Sequence, residues 1–587
     1  MRGVIILSKR FTGAEIFIKS LSREGVETIF GYPGGTVLPI YDKLYDAEFE
    51  HILPHHEQGG IHAADGYARS TGRIGVVIAT SGPGATNLVT GLATAYMDSV
   101  PLVAFTGQVP SHMLGTDAFQ EADITGISMP ITKHNYLVQK TENLARIIKE
   151  AFHIASSGRP GPVLVDIPKD IMLQEVEFVY PEQVDLRGYK PNYRGHPLQI
   201  KKAAEKINQC RRPVLYAGGG VIISEASSEL RQLAEKAQIP VTTTLTGLGA
   251  FDEKNRLSLG MLGMHGSTEA NMAISHADLI IAVGCRFDDR VTGKLEEFAQ
   301  EADIIHIDID PAEVGKRVAI DIPIVGDVKG ILTKLNEQVS EKSSNGWGSQ
   351  IQEWQEMDCR RCSSTGKNGR LSSRPIIEEI DSLTDGEAFI VTEVGQHQMW
   401  AAQFFNYNRP RQFITSGGLG TMGYGFPASL GVQVGNREAP VFLLAGDGSF
   451  QMNIQELATA AKNNLPVKIV IFNNHYLGMV RQWQEMFLDR RYSSTCLRRR
   501  SDCPPQCSEP DEGCPEMIPD FTKVAQAYGI KAEKITKPEE VRAALERALA
   551  EPGPYLLDCL IEVEENVFPM VPPGGSLYEM ILEEESE

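Results

Sequence analysis

The sequence predicts an α/β protein built from three doubly wound parallel-sheet domains. Apolar runs of roughly five to eight residues alternate with helical patterns along the whole chain, which is typical of parallel sheets with crossover helices. Many of these runs break directly into Gly- or Pro-rich turns, as in IGVVIATSGPG and VFLLAGDG. Two polar stretches interrupt the alternation and divide the chain into three blocks.

The three blocks are predicted domains. The first covers residues 11–175 and ends with GPVLVDIPKDI, and the second covers residues 196–340 and contains RPVLYAGGGVI. The third covers residues 375–562, follows SEKSSNGWGSQ and a CxxC segment, and contains VFLLAGDGSF and VKIVIFNN. Residues 563–587 are predicted to form a C-terminal tail or lid. Strands of the first and third blocks end in similar Gly-rich turns, which leaves a distant duplication open.

Composition excludes several classes of partner. The 587 residues carry a formal net charge of −20, which argues against nucleic acid or an anionic membrane surface. No apolar run approaches the roughly 20 residues needed to cross a bilayer, and no signal or transit peptide pattern is present. We therefore expect a cytoplasmic protein. Nine cysteines, an odd number, argue against a disulfide framework.

The stretch GDGSFQMNIQELATAAKNNLPVKIVIFNN carries the clearest chemical signal. It is predicted to form a strand, a helix and a second parallel strand, so Asp447 and Asn474 follow neighbouring strand ends at one edge of the sheet. Carboxylate and amide oxygens suit Mg²⁺ carried by a diphosphate. The adjacent residues Gly446, Gly448 and Ser449 would allow the backbone to approach the phosphates. An isolated GDG would be read as a turn and helix cap, but the second site at NN favours the metal.

GDG, a helix-and-strand spacer and NN form the thiamin diphosphate motif. The chain resembles, nearly end to end, the catalytic subunits of the acetohydroxyacid synthase (acetolactate synthase) family. The resemblance implies pyrimidine-binding, FAD-binding and diphosphate-binding domains in that order, with Mg²⁺ held by Asp447, Asn474 and the backbone carbonyl of Tyr476. It also implies decarboxylating carboligation of pyruvate with a second pyruvate or with 2-oxobutanoate, in the biosynthesis of valine, leucine and isoleucine.

Glu57, in LPHHEQGGIHAADGYAR, matches the glutamate of this family. Thiamin chemistry needs a carboxylate on the pyrimidine nitrogen N1′, which promotes the tautomer that deprotonates the thiazolium carbon. From the residues alone, a solvated carboxylate at a helix start is an equal interpretation. By the resemblance, Glu57 argues against glyoxylate carboligase, a related enzyme that lacks this acid.

Other residues match cofactor or active-site positions only through the resemblance. Without it, they read as tight turns or ordinary polar loops. The resemblance places Gly34 and Gly35 near the reactive end of the cofactor, Phe119 and Gln120 across from Glu57, and Lys169 near the substrate channel. It places Val394, Gln396 and His397 beside the cofactor, with Met422 supporting its bent shape.

The second block is predicted to bind a different cofactor. AGGG after a strand, Asp308 after IIHI, and GCRFDDRVTG indicate a dinucleotide site, and on these residues alone NAD(H) is an equal interpretation. The resemblance instead implies a mainly structural FAD. Its contact residues would be Arg159, Gly218, Gly219, His265, Arg286, Asp288, Asp308 and Asp327.

Two segments are candidates for acceptor recognition. Arg290, in RFDDR, matches an arginine that receives the carboxylate of the second 2-oxoacid, although an ion pair with Asp288 or Asp289 is an even alternative. RFDDR also distinguishes the chain from catabolic acetolactate synthases, which resemble the family but lack FAD and this motif. Met479, Val480 and Trp483 occupy one helix, where a core stripe is the simpler interpretation. The resemblance makes Trp483 the residue that recognises the ethyl group of 2-oxobutanoate, with Met264 nearby.

The resemblance also implies partner subunits, and it leaves alternative functions open. It implies a homodimer or a dimer of dimers, because the cofactor bridges domains of different subunits, and a separate small regulatory subunit with an ACT domain. A pyruvate oxidase-like or glyoxylate carboligase-like enzyme using thiamin diphosphate and FAD is the alternative. A non-catalytic binding paralogue is a third possibility, against which Glu57, Asp447 and Asn474 argue together.

One segment departs from the family. After RYSST, the chain runs CLRRRSDCPPQCSEPDEGCPEM before reaching PDF, and it is longer there than in the proteins it resembles. Cys496, Cys503, Cys507 and Cys514 lie in this segment, at a spacing unlike that of zinc fingers. A disordered insertion with incidental cysteines is one interpretation. Metal or redox control of lid order is the other.

Overall fold

The computed structural model describes residues 9–343, 346–357, 370–504 and 514–582. Cys359 and Cys362 of the CxxC segment, and Cys507, lie outside the described residues. The chain forms two compact units. Unit one contains residues 9–190, 416–437 and 453–465, and unit two contains the described parts of residues 191–415, 438–452 and 466–582.

The first sheet belongs to unit one. Its six parallel strands have the order β3-β2-β4-β5-β7-β6, and β1 and β8 form a separate antiparallel pair. The strands are β1 Arg10–Thr12, β2 Thr28–Gly31, β3 Glu50–Ile52, β4 Gly75–Ala79, β5 Leu102–Gln108, β6 His134–Leu137, β7 Val163–Pro168 and β8 Glu175–Glu177.

Three of the helices around this sheet begin at a side-chain cap, namely those that start at residues 13, 57 and 124. Thr12 and Glu15 form a capping box, in which the Thr12 hydroxyl accepts from the Glu15 amide and the Glu15 carboxylate accepts from the Thr12 amide. The helices are α1 Gly13–Arg23, α2 Leu38–Leu44, α3 Glu57–Thr71, α4 Pro83–Thr86, α5 Val89–Met97, α6 Ile124–Ser128, α7 Leu144–Ser156 and α8 Lys169–Leu173.

The central sheet belongs to unit two and is covered on both faces. Its strand order is β11-β10-β9-β12-β13-β14. The chain therefore adds β10 and β11 on one side of β9 and adds β12, β13 and β14 on the other side. Leu215 and Ala217 join one apolar core, whereas Val214 and Tyr216 join another, as alternation along a strand requires. The strands are β9 Pro213–Ala217, β10 Val241–Thr243, β11 Ser258–Met261, β12 Leu279–Val283, β13 Asp303–Asp308 and β14 Ile322–Val325.

The helices of this block occupy residues 197–356. The C-terminal tail contributes Val571 and Leu577 to one of the two cores, and the Val571 amide donates to the Met264 carbonyl at 2.8 Å. The helices are α9 Pro197–Gln209, α10 Gly219–Ile223, α11 Ser227–Ala237, α12 Thr268–His276, α13 Asp289–Thr292, α14 Val328–Gln338 and α15 Gly346–Glu356.

The third sheet, also in unit two, has the order β16-β15-β17-β18-β20-β19. This order repeats that of the first sheet strand for strand, a likeness that the similar Gly-rich turns of the two blocks suggested. The strands are β15 Phe389–Thr392, β16 Phe413–Ile414, β17 Val441–Gly446, β18 Lys468–Asn473, β19 Lys531–Ile535 and β20 Tyr555–Leu560. The helices of this part of the chain are α16 Ser373–Leu383, α17 Gln396–Phe404, α18 Gly425–Gly435, α19 Asp447–Phe450, α20 Leu457–Lys462, α21 Gly478–Phe487, α22 Phe521–Ala527 and α23 Val541–Ala550. Of these, α18 and α20 belong to unit one.

Within unit one, α3 and α18 cross in direct backbone contact. A Cβ added at Gly66 would lie 2.1 Å from the carbonyl oxygen of Ala428, and one added at Gly431 would lie 1.7 Å from that of Ala63. Glycine at both positions therefore permits the close crossing. This contact holds α3, whose first residue is Glu57, along most of its length.

Candidate functional site

Asp447 and Asn474 follow neighbouring parallel strands, as the sequence predicts. β17 and β18 are parallel neighbours with Gly446 opposite Phe472, so the two chains leave the sheet together at its carboxyl edge. Both side chains are buried, Asp447 with 2% and Asn474 with 5% of its surface exposed. β15 and β17 are also neighbours, although their onward connections run in opposite directions. The pair therefore lies beside the switch point of the sheet, where open α/β sheets bind ligands.

The Asp447 carboxylate is suited to a cation. Its Oδ1 accepts from the Gly448 amide at 2.9 Å, whereas its Oδ2 is buried and has no hydrogen-bond partner. Burial raises the pKa of this carboxyl to about 8. A nearby divalent cation would offset the cost of burying the negative charge. One expected feature differs, because the Gly448 amide is occupied by Asp447 itself and is not open to a phosphate in this arrangement.

The loop after β18 offers a backbone carbonyl beside Asn474. The Asn474 Oδ1 accepts from the Tyr476 amide at 3.0 Å, and His475 between them has a φ of +66°. Tyr476 pairs with Cys496 in an antiparallel bridge through the carbonyls of His475 and Thr495. That pairing does not use the Tyr476 carbonyl. The three predicted metal ligands, Asp447, Asn474 and Tyr476, therefore belong to two adjacent loops at one sheet edge.

The loop after β15 joins the same site. The Gln396 Oε1 accepts from the Asn474 Nδ2 at 3.4 Å, and its Nε2 donates to the Gln482 Oε1 at 2.9 Å. The buried His397 ring packs so closely that a Cβ at Gly446 would lie 2.9 Å from it. Val394 is half-buried at the start of this loop. The structure thus brings Gln396 and His397 to the GDG turn and the NN turn.

Glu57 is the first residue of α3, at the helix start that the sequence predicts. The preceding His56 caps this helix by accepting from the Gln58 amide at 3.1 Å. The Glu57 Oε2 accepts from the Asn87 Nδ2 at 2.9 Å, which fixes the carboxylate while leaving the residue partly exposed. The Glu57 carboxylate is therefore fixed in position at the helix start and is accessible to a ligand.

Two predicted loops lie close to Glu57. A Cβ at Gly84 would lie 3.3 Å from the Glu57 Oε1 and 2.7 Å from the Thr80 side chain, and one at Gly34 would lie 2.5 Å from Thr80. Gly34, Thr80 and Glu57 therefore share one neighbourhood at the carboxyl edge of the first sheet. Gly35 has open space around it.

Gln120 has a left-handed backbone, with φ at +60°, which is uncommon for a residue with a side chain. It packs on the turn at Gly82, where an added Cβ would lie 2.9 Å from the Gln120 carbonyl oxygen. The neighbouring Phe119 is 87% exposed. Such local backbone strain is concentrated at functional sites, which supports the prediction that this loop has a functional role.

Three further candidates of unit one have no described contact with these groups. Lys169 opens α8 directly after β7 and is half-buried, and Met422 is half-buried in the turn before α18. The Arg159 Nε donates to the Ser99 Oγ at 2.8 Å. Their predicted roles stay predictions.

The predicted FAD residues of unit two follow strands at one edge of the central sheet. Gly218 follows β9, Asp308 ends β13 and Asp327 comes after β14. Arg286 and Asp288 come after β12, and their side chains approach within 3.9 Å of each other. His265 comes after β11, is buried, and has its pKa lowered to about 4 by burial. The edge therefore collects the residues that the sequence analysis assigns to a nucleotide cofactor, and that role stays a prediction.

Several of these groups already have partners. The amides of Gly218 and Gly220 donate to the carbonyls of Val283 and Gly284, so of the three glycine amides only that of Gly219 is unused by these contacts. Asp327 caps α14 and accepts from the Ser224 hydroxyl at 2.7 Å. The AGGG turn therefore has a packing role of its own, and it offers a phosphate less than the sequence pattern suggests.

Arg290 and Trp483, distant in sequence, are in contact. The Arg290 guanidinium lies over the Trp483 ring at 5.9 Å from its centroid, within range of a cation–π interaction. The Met264 amide donates to the Arg290 carbonyl at 2.8 Å, and the Met264 sulfur lies 3.8 Å from the guanidinium. Arg290 also lies 3.8 Å from Asp289 and remains largely exposed, so the ion-pair alternative is present and the binding role stays a prediction.

The helix α21 presents the other predicted specificity residues. Met479 packs against the core of the third sheet, as the simpler interpretation anticipates, whereas Val480 is 51% exposed. Trp483 is half-buried and meets Phe487 edge to face with 5.6 Å between ring centroids. The helix therefore contributes both core and surface, and Trp483 lies at their boundary.

Sequence reasoning missed several residues that hold the site. The Arg481 guanidinium is buried, pairs with Glu564 at 2.6 Å, and lies over the Tyr476 ring at 4.9 Å from its centroid. Asn87 orients Glu57, and Gln482 connects Gln396 to the tail by donating to the Val567 carbonyl. No local pattern marks these residues, because their partners are distant in sequence.

Glu456 was missed as well. Its Oε1 and Oε2 accept from the His55 amide at 3.1 and 3.2 Å, and its Oε2 also accepts from the Thr459 hydroxyl. Burial raises the pKa of Glu456 to about 7. The carboxylate therefore anchors the turn that leads into Glu57. The sequence signal for this residue is an acid that stands within the apolar pattern QELATAA.

Known proteins match the chain throughout. Family models described as the N-terminal TPP binding domain, the central domain and the C-terminal TPP binding domain of thiamine pyrophosphate enzymes match residues 11–127, 200–335 and 393–559. The three sheets and the acid–amide pair at the GDG and NN turns thus define a thiamin diphosphate enzyme.

Relatives narrow the class. The chain is 50% identical to a probable acetolactate synthase large subunit of Methanocaldococcus jannaschii, covering 97% of this chain and 95% of that protein. It is 49% identical to an acetolactate synthase of Arthrospira platensis, covering 98% of each, and 45% identical to an acetolactate synthase large subunit of Haemophilus influenzae, covering 99% of each. The chain belongs to the acetolactate synthase family.

Two negative findings apply to the described residues only. None of their helices is long and apolar enough to cross a membrane. Within the same part of the chain, no group of three or more His, Cys, Asp or Glu side chains is placed to hold a metal ion. The predicted site at Asp447 would not form such a group, because its other ligands are an amide and a carbonyl.

Proposed function

We propose that the protein joins two 2-oxoacids with loss of carbon dioxide. Pyruvate loses its carboxylate as CO₂, and the remaining two-carbon unit is added to the carbonyl carbon of the acceptor. With pyruvate as acceptor the product is 2-acetolactate, and with 2-oxobutanoate it is 2-aceto-2-hydroxybutanoate. These products lead to branched-chain amino acids. The contact between Arg290 and Trp483 carries this proposal, because it places a guanidinium that can bind the carboxylate of the acceptor beside an apolar ring.

Asp447, Asn474 and the Tyr476 carbonyl are proposed to hold Mg²⁺ on the diphosphate of the cofactor. The unpartnered Asp447 Oδ2 supports this assignment, because a buried carboxylate oxygen without a hydrogen bond needs a cation or a proton. When bound, thiamin diphosphate supplies the carbanion chemistry. Gln396 keeps the Asn474 amide in place, and Gly446 and Ser449 line the turn next to it.

Glu57 is proposed to hold a proton at the pyrimidine nitrogen. Its position at the start of α3, with Asn87 bound to one carboxylate oxygen, leaves the other oxygen to meet a ring nitrogen. Gly34 and Gln120 are proposed to line the same cleft, since the loops that carry them pack on Thr80 and Gly82. Phe119 and Lys169 are proposed as further contacts along the substrate path.

Arg290 is proposed to receive the carboxylate of the acceptor. A guanidinium can pair with a carboxylate bidentately, whereas an ammonium cannot reproduce that geometry. Trp483, with Val480 and Met479 on the same helix, is proposed to contact the alkyl group of the acceptor. One methylene in an apolar pocket is worth about 1–3 kcal/mol of selectivity.

FAD is proposed to occupy the carboxyl edge of the central sheet. The residues at that edge support it, with the Gly219 amide near the phosphates and with Arg286, Asp288, Asp308, Asp327 and His265 around the rest. Arg159 is proposed as a further FAD contact, Val394 and His397 as cofactor neighbours, and Met422 as the support for a bent cofactor. Carboligation leaves no net electrons to transfer, so the flavin would serve structure.

A homodimer or dimer of dimers in the cytoplasm is proposed, together with a small regulatory subunit. The relatives named as large subunits support a second kind of subunit. No nucleic-acid partner is proposed, given the net charge of −20.

Product analysis tests the proposal. The purified protein with thiamin diphosphate, Mg²⁺ and FAD is given pyruvate and 2-oxobutanoate in competition, and products and oxygen uptake are measured together. Acetolactate and acetohydroxybutanoate without oxygen uptake support the proposal. Acetyl phosphate with peroxide, formed in the presence of inorganic phosphate, would instead establish a pyruvate oxidase.

A further inference from the structure

The cysteine-rich segment that follows Tyr492 has no role in the proposed carboligation. Cys496, Cys503 and Cys514 line one pocket of unit two, and each is partly exposed. The Cys503 Sγ accepts from the Arg500 amide at 3.3 Å. Folding therefore gathers around one pocket three thiols that are dispersed along the segment.

The surroundings of the pocket are those of a reactive site. Arg498 and Arg499 contribute to its lining. Reactive cysteines typically occur in partly exposed, electropositive surroundings, whereas buried cysteines are inert. Cys285 and Cys559, with 4% and 2% of their surface exposed, belong to the inert kind. The thiols of the pocket are thus distinguished from Cys285 and Cys559 by access, a property that the partly exposed Cys210 beside Lys342 shares.

The pocket is coupled to the loop that carries Asn474. Tyr476 lines the pocket as well, and its backbone pairs with that of Cys496. The Leu477 amide donates to the Thr495 carbonyl at 2.9 Å, and the Leu497 amide donates to the His475 carbonyl at 2.9 Å. A displacement of Cys496 therefore either moves Tyr476 or breaks these two bonds.

Thiol chemistry fits the pocket better than metal binding. Within the described part of the chain, no cluster of three His, Cys, Asp or Glu side chains is arranged to hold a metal ion, although the three cysteines share a pocket. Disulfide formation needs only two sulfur atoms to meet. Cys496 and Cys503 lie in one continuous described segment, with two turns, at residues 497–498 and 501–502, between them.

We propose that Cys496 and Cys503 form a reversible disulfide when a peroxide oxidises the protein. One sulfur attacks the O–O bond of hydrogen peroxide, which gives a sulfenic acid and one water. The second sulfur displaces the hydroxyl group, which leaves as a second water while the S–S bond forms. Two thiols lose two electrons and two protons in total, and the peroxide is reduced to two waters.

The disulfide reduces the hold of the protein on Mg²⁺ and the cofactor diphosphate. This part rests on the metal site assigned above to Asp447, Asn474 and the Tyr476 carbonyl. The new bond draws Cys496 toward Cys503 and strains its pairing with Tyr476. The concentration of Mg²⁺ needed for half-maximal thiamin diphosphate binding consequently rises several-fold on oxidation.

Peptide mapping tests the thiol step by itself. The full-length Cys359→Ser/Cys362→Ser variant, which removes the thiols of the CxxC segment, is treated with hydrogen peroxide, capped with N-ethylmaleimide and digested. The expected result is a peptide linked through Cys496 and Cys503 that a phosphine reductant cleaves, and the same peptide is expected after a further Cys514→Ser change. Full capping of both cysteines, or a bond from either one to Cys514, would overturn the assignment.

A binding titration tests the coupling. Thiamin diphosphate binding is followed by equilibrium dialysis over a range of Mg²⁺ concentrations, with oxidised and reduced protein. Cys503→Ser is expected to match the reduced protein under both treatments. A disulfide that forms without changing the Mg²⁺ requirement would refute the coupling. Normal Mg²⁺-dependent binding by Asp447→Asn would refute the metal site instead, and the peptide map would still decide the thiol step.

Discussion

The first and third sheets share one strand order and carry different chemistry. In both sheets, the strand that comes first in the chain lies between the second and the third. The strand that comes last in the chain lies between the fourth and the fifth. After the third strand, the first sheet continues into Thr80, whereas the third sheet continues into Asp447. After the fourth strand, the corresponding residues are Gln108 and Asn474, at or just beyond the strand end.

The difference lies in how the polar groups at each edge are satisfied. At the first sheet, the Thr80 hydroxyl lies 2.9 Å from that of Thr36, and the Gln108 amide donates to the Asp166 carboxylate at 3.0 Å. At the third sheet, the Asp447 Oδ2 has no hydrogen-bond partner. Thr80 and Gln108 are thus held by internal hydrogen bonds, whereas Asp447 keeps a buried carboxylate oxygen without a partner. Topology locates a site, and side chains decide its chemistry.

The largest expected effect on cofactor binding comes from the third sheet. We predict that Asp447→Asn lowers Mg²⁺-dependent thiamin diphosphate affinity by about 100-fold or more, because loss of an outer-shell partner alone costs metal sites about 10- to 100-fold. Equilibrium dialysis with Mg²⁺ and thiamin diphosphate measures it. The exposed Asp489→Asn, at another acid of unit two, is the matched control and should bind normally. Equal affinities of Asp447→Asn and the control would remove the contrast between the two sheets.

The next effect comes from the first sheet and is of a different kind. We predict that Glu57→Gln lowers kcat by about 10²- to 10⁴-fold while cofactor affinity stays within a few-fold, since an amide keeps the shape but cannot hold the proton. Steady-state carboligation and dialysis on the same preparation measure both quantities. Glu142→Gln, at an exposed glutamate of unit one, should change neither. Loss of affinity without loss of kcat would show that Glu57 has a binding role only.

A smaller effect concerns selectivity at the third sheet. We predict that Trp483→Leu lowers the preference for 2-oxobutanoate over pyruvate as acceptor by about 10-fold or more, because it removes the apolar wall beside Arg290. The ratio of the two products under competition measures it. Phe487→Leu, which changes the neighbouring ring and leaves the Arg290 contact in place, should keep the ratio near that of the parent. An unchanged ratio in Trp483→Leu would place acceptor recognition elsewhere.

The smallest expected effect is on stability and returns to unit one. The pKa of Glu456 is raised from 4.5 to about 7, so between these values the folded chain binds a proton that the unfolded chain has released. Stability from this group is therefore present at low pH and is lost as pH rises through about 7. We predict that Glu456→Gln, whose amide keeps one neutral form, flattens this slope by about 1–3 kcal/mol between pH 5 and pH 8.

Urea unfolding of the parent and of Glu456→Gln at a series of pH values measures that slope. Glu142→Gln again serves as the control, since an exposed carboxylate should leave the slope unchanged. A parent whose stability relative to Glu456→Gln rises with pH would contradict the assignment. It would mean that Glu456 is ionised in the fold and stabilised by its hydrogen bonds.

Much of the site follows from local patterns. The alternation of apolar runs and helices predicts parallel sheets, and two consecutive strands of one βαβ unit must end at the same edge, which places Asp447 near Asn474. A glutamate after an extended stretch and before small residues predicts a helix that starts at Glu57. Such inferences succeed because the partners are close in sequence, or are tied by the handedness of one crossover.

What remains depends on contacts between distant segments. The sequence by itself predicted three sheets and the acid–amide pair, and the family resemblance supplied the candidates Arg290 and Trp483. Only the tertiary structure decided that Arg290 lies over Trp483, that Arg481 supports Tyr476, and that three cysteines share a pocket. The periodicity that predicts a helix or strand is present in the local sequence. These long-range contacts depend on how separate elements pack, which is a property of the whole fold.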